Sequence, residues 1–281
     1  VLTVRAYSGI AGDMMLSGLI RMTGIGGEGM QKRLAAIMPD LLGSAVLEPA
    51  SVQHIAGWRL RVSLPHQHEH RTLADCEKII AASGMDTGAK ETALAAFRLV
   101  AGAEGRVHGA KPEEVHFHEV GAIDSIVDVI SAAFCLEDLG IHRVVISPLS
   151  EGHGFARCQH GLMPVPVPAT ANIAAAQGLE LTLRDVEGEM VTPTGAAIAA
   201  AFRTEAALPK KYQIEKIGIG AGNKDFAHAN ILRAMLLTDK TVEVETGKDG
   251  HDESSMWVME ANLDDCTGEA LGYAMEVLLE A

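Results

Sequence analysis

Apolar positions along the chain switch repeatedly between a two-residue and a 3.6-residue period, which predicts strands alternating with helices. Leu2 to Tyr7 reads as a short strand, followed by the turn Ser8-Gly9-Ile10-Ala11-Gly12 and a helix from Asp13 to about Met22. The cluster Gly24 to Gly29 ends that helix, and Glu28 to Met38 reads as the next. Val46 to Leu64 has strand-like pieces, with Gln53, His54, Gly57 and Trp58 between its apolar runs. Thr72 to Ala82 and the alanine-rich stretch Asp86 to Gly105 read as helices. Beyond Gly121, the residues Ile123, Ile126, Val127, Ile130 and Phe134 recur at helical spacing. Arg143 to Ile146 is a buried-strand run ended by Ser147-Pro148. Leu162 to Pro168 carries prolines that lack a ladder donor, so it is an extended connector into the helix Ala169 to Gln177. Thr192-Pro193-Thr194-Gly195 starts another alanine-rich helix, to Phe202, and Leu232 to Leu237 reads as a strand.

The expected fold class is therefore α/β, a mixed sheet with alanine-rich helices. A first domain over 1–240 is followed by a polar, glycine-bearing linker at 241–255. Residues 256–281 open a further C-terminal domain that they do not complete.

Composition narrows the partners. Of 281 residues, 48% are apolar and only 4% aromatic, so the core must be built from Ala, Val, Ile, Leu and Met. A formal net charge of −14 argues against nonspecific binding to nucleic acid or an anionic membrane and suits attraction of cations. No apolar run approaches the roughly 20 residues of a membrane-spanning helix. No secretory signal is visible. Cys76, Cys135, Cys158 and Cys266 show no C-x-x-C spacing, which fits reduced thiols in a cytoplasmic protein.

The densest chemistry runs from His116 to Asp128. In an extended segment His116 and His118 point to one side and Phe117 to the other. Asp124 and Asp128 then lie one turn apart on the following helix. Imidazole and carboxylate donors together suit a borderline divalent metal such as nickel or zinc. The alternative is an exposed His pair beside carboxylates that favour a helix N-terminus. His66, His68 and His70 form a second tract, either a loose transition-metal trap or a solvated loop.

Ser8, Gly9, Gly12 and Asp13 mark a strand-to-helix turn of the kind that can hold a phosphate, although Asp13 could equally cap the helix or ligate metal. Gly152-His153-Gly154 lets His153 reach into a site, and Arg157, Cys158 and His160 follow like a site wall. Thr192 and Thr194 read first as helix caps and second as nucleotide contacts. Gly218 to Gly222 resembles a dinucleotide loop, but a strand follows it, leaving a glycine-rich turn that could approach a ligand.

Taken in order, Tyr7 to Met14, His116 to Asp128, Gly154 to Pro168, Val191 to Ala197, Gly220 to Gly222 and Asn262 to Glu269 resemble the motifs of the nickel insertion proteins of the lactate racemase system (the LarC family). The resemblance implies a cytoplasmic nickel chelatase that inserts Ni(II), as substrate, into pyridinium-3,5-bisthiocarboxylic acid mononucleotide to make a nickel-pincer nucleotide. It further implies dependence on CTP with Mn(II) or Mg(II), held mostly by a C-terminal part that can be a separate polypeptide, and homo-oligomeric assembly. The sequence departs from that family at Arg5-Ala6, where an acidic residue is usual, and at Cys266 and Gly268, where methionine and proline are usual.

On chemical grounds His116, His118, Glu119 and Asp124 are the candidate nickel cluster, fed by His66, His68 and His70, with His153 a further candidate ligand. Glu119 or Asp128 is the candidate base for the ring proton. A metallochaperone that stores nickel without chemistry, and a metal-dependent hydrolase, are the competing functions.

Overall fold

The computed structural model describes residues 1–37, 45–62, 71–117, 123–158 and 160–241. The chain divides into two units, Val1–Val242 and Glu243–Ala281. Apart from Thr241, the expected linker and the C-terminal segment lie outside the described residues.

Strand β1 (Leu2–Arg5) puts Leu2 and Val4 into the core and leads into α1 (Gly12–Thr23) and α2 (Gly26–Ile37). Strands β2 (Ala45–Val52) and β3 (Ile55–Val62) form a hairpin whose turn holds Gln53 and His54 at positive φ. Next come β4 (Arg71–Thr72), α3 (Leu73–Ala82), α4 (Thr87–His108), β5 (His116–Phe117) and α5 (Ile123–Asp138). Local signals set the middle helices. Thr72 and Asp75 cap α3 reciprocally, and the Asp86 carboxylate accepts the Ala89 N–H at 2.7 Å to start α4.

The second half runs β6 (Val144–Ile146), β7 (Leu149–His153), β8 (Phe155–Cys158), β9 (Gly161–Pro164), α6 (Pro168–Gln177), β10 (Leu181–Glu187), α7 (Pro193–Phe202), β11 (Tyr212–Ala221) and β12 (Ile231–Asp239). The main sheet has six strands in the order β2-β3-β11-β12-β1-β6. It is mixed: β1 pairs antiparallel with β12 and parallel with β6. The fold class is as the sequence predicts. Among the described residues, no helix is long and apolar enough to cross a membrane.

Two segments differ from expectation. The predicted connector at Leu162 contributes β9, which pairs with β8 in a hairpin outside the main sheet, where proline costs no central ladder bond. The glycine-rich stretch at Gly218 is not a ligand-approaching turn but the middle of β11. Its glycines serve packing: a Cβ on Gly218 would collide with the Gly18 carbonyl of α1, and one on Gly220 with that of Met14. Helix and strand therefore approach closely enough to fix α1 over the sheet, and α1 also packs against α5.

Candidate active site

The turn after β1 is tied down before it reaches α1. Gly9, at φ 82°, donates its N–H to Ala6, and the Ile10 N–H donates to the Met190 carbonyl at 3.0 Å. The Ile10 carbonyl in turn accepts the Thr192 N–H at 3.1 Å. Buried Glu151 holds the same segment, one carboxylate oxygen accepting from Gly152, Met190 and Val191. The start of α1 is thereby locked beside the start of α7.

The N-terminal turns of α1, α5, α6 and α7 all line one cavity of about 630 Å³. Each contributes backbone N–H groups without intrahelical acceptors and the positive end of a helix dipole. Thr192 caps α7 by accepting the Gly195 N–H at 3.0 Å, and Thr194 Oγ1 lies 3.2 Å from Ser125 Oγ of α5. The β8–β9 hairpin, through Arg157, Cys158 and Met163, and the end of α4, through Glu104 and His108, complete the wall.

Five acidic residues line this cavity, and three of them, Asp13, Asp124 and Asp128, lie close enough to act on one another electrostatically, whereas Glu104 meets His108 and Glu189 meets Lys224. Asp13 accepts from the Met14 N–H at 2.9 Å and, through its other oxygen, from Asn223 Nδ2 at 2.7 Å. Asp124 accepts the Ser125 N–H at 2.8 Å. Asp128 is 8% exposed, and its Oδ1 is buried with no hydrogen-bond partner. Gly12 explains how it fits: a Cβ there would collide with Asp128 Oδ2.

The electrostatics follow. Burial raises the pKa of all three, and that of Asp128 lies well above the ordinary carboxylate value, first because it is the most deeply buried and then because Asp13 and Asp124 add like charge. At Asp13 the Met14 N–H and the nearby Arg59 oppose the rise. Such a cluster gains from a cation or a shared proton. Among the described residues, no group of three His, Cys, Asp or Glu side chains is placed to hold a metal ion. A metal entering here would have to complete its shell with water or with donors of its organic partner.

A cavity that joins electropositive helix ends to carboxylates suits a ligand carrying both phosphate and metal. The family described as nickel insertion protein matches residues 2–281. The chain belongs to the nickel insertion protein family. A protein of Alkaliphilus metalliredigens named pyridinium-3,5-bisthiocarboxylic acid mononucleotide nickel insertion protein is 44% identical, over 99% of this chain and 72% of its own length. Proteins with the same name from Desulfitobacterium hafniense and Akkermansia muciniphila are 38% and 40% identical, each over 98% of this chain and 67% of their own length. No solved structure matches the chain.

For this member of the family, the structure sorts the residues read from sequence. Gly12, Asp13, Asp124, Asp128, Thr192 and Thr194 converge on the cavity. Asp13 is not a helix cap: Ala11 occupies that position, and Asp13 sits in the first turn facing the other carboxylates. Ser8 and Gly9 do not reach the cavity, and they already have hydrogen-bond acceptors, Ser8 Oγ donating to the Ala229 carbonyl at 2.7 Å. They cannot cradle a phosphate there. His116 is exposed in β5, opposite Thr72, and is not part of the cavity wall. His153 points elsewhere, with Nε2 3.1 Å from an Asp185 carboxylate oxygen. His66, His68, His70, His118 and Glu119 lie outside the described residues.

The sequence reading passed over Glu104 and His108, whose side chains meet at 3.2 Å, and His108 lies ring to ring with His160 at 5.1 Å. Their signal was a Glu and a His one turn apart on an alanine-rich helix.

Proposed function

We propose that this chain inserts nickel into pyridinium-3,5-bisthiocarboxylic acid mononucleotide. The observation that carries the reading is the convergence of Asp13, Asp124 and Asp128 with helix N-termini in one cavity, in a chain of this family. The nucleotide phosphate is held at the starts of α5 and α7, where the hydroxyls of Ser125 and Thr194 add donors.

Nickel reaches the carboxylates as substrate. Carboxylate oxygen holds it less firmly than soft sulfur, so transfer to the two thiocarboxylates is downhill. The remaining step breaks the ring C–H bond between them. Its electron pair becomes the carbon–nickel bond, and its proton goes to Asp128. The raised pKa of Asp128 makes it a stronger base than an exposed carboxylate once ionised, and its side chain lines the cavity in which the mononucleotide would lie. Glu119 is the alternative base.

The exposed His116, with His118, supplies an entry route, and His66, His68 and His70 a loose capture tract. Dependence on CTP with Mn(II) or Mg(II), a separate C-terminal polypeptide, homo-oligomeric assembly and a cytoplasmic setting belong to the same proposal and rest on the resemblance. Asp264, Asp265 and Glu269, the residues that would face the nucleotide's cation, lie outside the described residues.

The test is to incubate the chain with Ni(II) and the mononucleotide, with and without CTP, Mn(II) and a C-terminal part from a full-length relative. Mass spectrometry should find the nucleotide carrying nickel with the ring proton lost. Protein-bound nickel beside an unchanged nucleotide in every arm would replace this reading with a metallochaperone.

A further inference from the structure

A second depression, of about 480 Å³, is lined by Arg5, Arg184, Arg233, His228, Ser8 and Asp185 among others. Its charge is opposite to that of the whole chain. Three guanidinium groups and one carboxylate share it, in a protein with a formal net charge of −14. The carboxylate is engaged, Asp185 lying against His153 at 3.1 Å.

Two of the arginines are placed at a cost. Arg5 of β1 and Arg233 of β12 are direct cross-strand partners in an antiparallel pair. Partners in that position project to one face, and like charges there repel. No carboxylate among the described residues forms an ion pair with Arg5, Arg184 or Arg233. Arg184 spends its Nε on Ser150 Oγ at 3.0 Å, which fixes the guanidinium and leaves its terminal nitrogens over.

An independent observation points the same way. His228 lines the depression with its ring stacked on Phe226, 5.5 Å between centroids, and its Nε2 is buried without a hydrogen-bond partner. The stack fixes the imidazole ring as an aromatic edge of the depression beside the arginines.

We infer that this depression is a binding site for a phosphate-bearing small molecule, separate from the carboxylate cavity. The guanidinium fork matches phosphate oxygens, and three forks converging in a concave site suit a multiply charged tetrahedral anion. An anion here also cancels the repulsion between Arg5 and Arg233. A macromolecular acidic surface fits less well, because a concavity of this size takes a small molecule.

The experiment is calorimetric titration of the whole chain with inorganic phosphate and pyrophosphate, and with malonate as a carboxylate of similar size. Pyrophosphate should bind, malonate at least about tenfold more weakly. Arg5→Gln and Arg233→Gln should each weaken pyrophosphate about tenfold or more, as loss of a charged hydrogen-bond partner does. Arg157→Gln, in the wall of the carboxylate cavity, should leave it within about twofold, since that arginine belongs to the other site.

Thermal melting without anion separates binding from misfolding. Arg5→Gln should melt at or above the parent temperature, because a like-charge pair has been relieved, and pyrophosphate should stabilise the parent but not the variant. Absence of pyrophosphate binding, equal affinity for malonate, unchanged affinity in both arginine variants, or loss of binding in Arg157→Gln would each overturn the assignment.

Discussion

Two depressions meet the same turn between β1 and α1 and have opposite characters. Ser8 lines the basic one, while Ala11, Gly12 and Asp13 line the acidic one. In the acidic cavity, charge is concentrated by burial: Asp128 is almost enclosed and its neighbours are other carboxylates. In the basic cleft, charge is concentrated by strand register, which sets Arg5 against Arg233. Both arrangements store repulsion that a ligand of opposite sign relieves. The acidic cavity alone adds convergent helix N-termini, so it can accept a ligand that brings phosphate and metal together.

The comparison breaks most readily at Asp128. Asp128→Asn should slow nickel insertion about 100-fold or more if a general base is lost, measured in a single turnover with nickel in excess. Its melting temperature should not fall, since the variant removes a buried charge that Asp13 and Asp124 oppose. A parallel loss of stability and rate would mean that the carboxylate is structural.

Gly12→Ala tests the same carboxylate from its neighbour. The added Cβ would collide with Asp128 Oδ2, so insertion should slow about tenfold, with about 1–3 kcal/mol of destabilisation from overpacking. Stability from chemical denaturation, read beside the rate, checks both. A milder effect is expected at the phosphate end. Thr194→Val should weaken mononucleotide binding severalfold, about the worth of one hydrogen bond, leaving the rate at saturation unchanged.

The smallest effect is on stability against pH. The native state holds protons on Asp13, Asp124 and Asp128 to higher pH than the unfolded chain does. The protonated cluster therefore favours folding at pH below the ordinary value of 3.8, and that contribution is lost as pH rises through the raised values. Asp128→Asn should remove part of this slope, so the melting temperature of the variant should gain on the parent as pH rises above the ordinary value of 3.8. A constant gap would show that Asp128 does not titrate in that window.

Much of this was legible in local pattern. The period change after Gly121 put Asp124 and Asp128 one turn apart, and hydroxyl residues before an alanine run located α7. What local pattern cannot carry is which faces meet. Asp13 joins Asp128 because Gly12 lets α1 approach α5, and α1 is fixed in turn by glycines of β11 that meet it from about 200 residues away along the chain. Those glycines looked like a turn because a strand interior seldom tolerates them. His116 and His153 had suggestive neighbours in sequence, yet β5 leaves one exposed and Asp185 engages the other. A histidine's composition context says nothing of its direction.

The most direct test of the account is the fate of the ring hydrogen between the two thiocarboxylates. With that position deuterated, the parent chain and His116→Ala should both release the label as nickel is inserted, whereas Asp128→Asn should retain it while still binding the mononucleotide. Release from Asp128→Asn at the parent rate would contradict the assignment of proton removal to the carboxylate cavity.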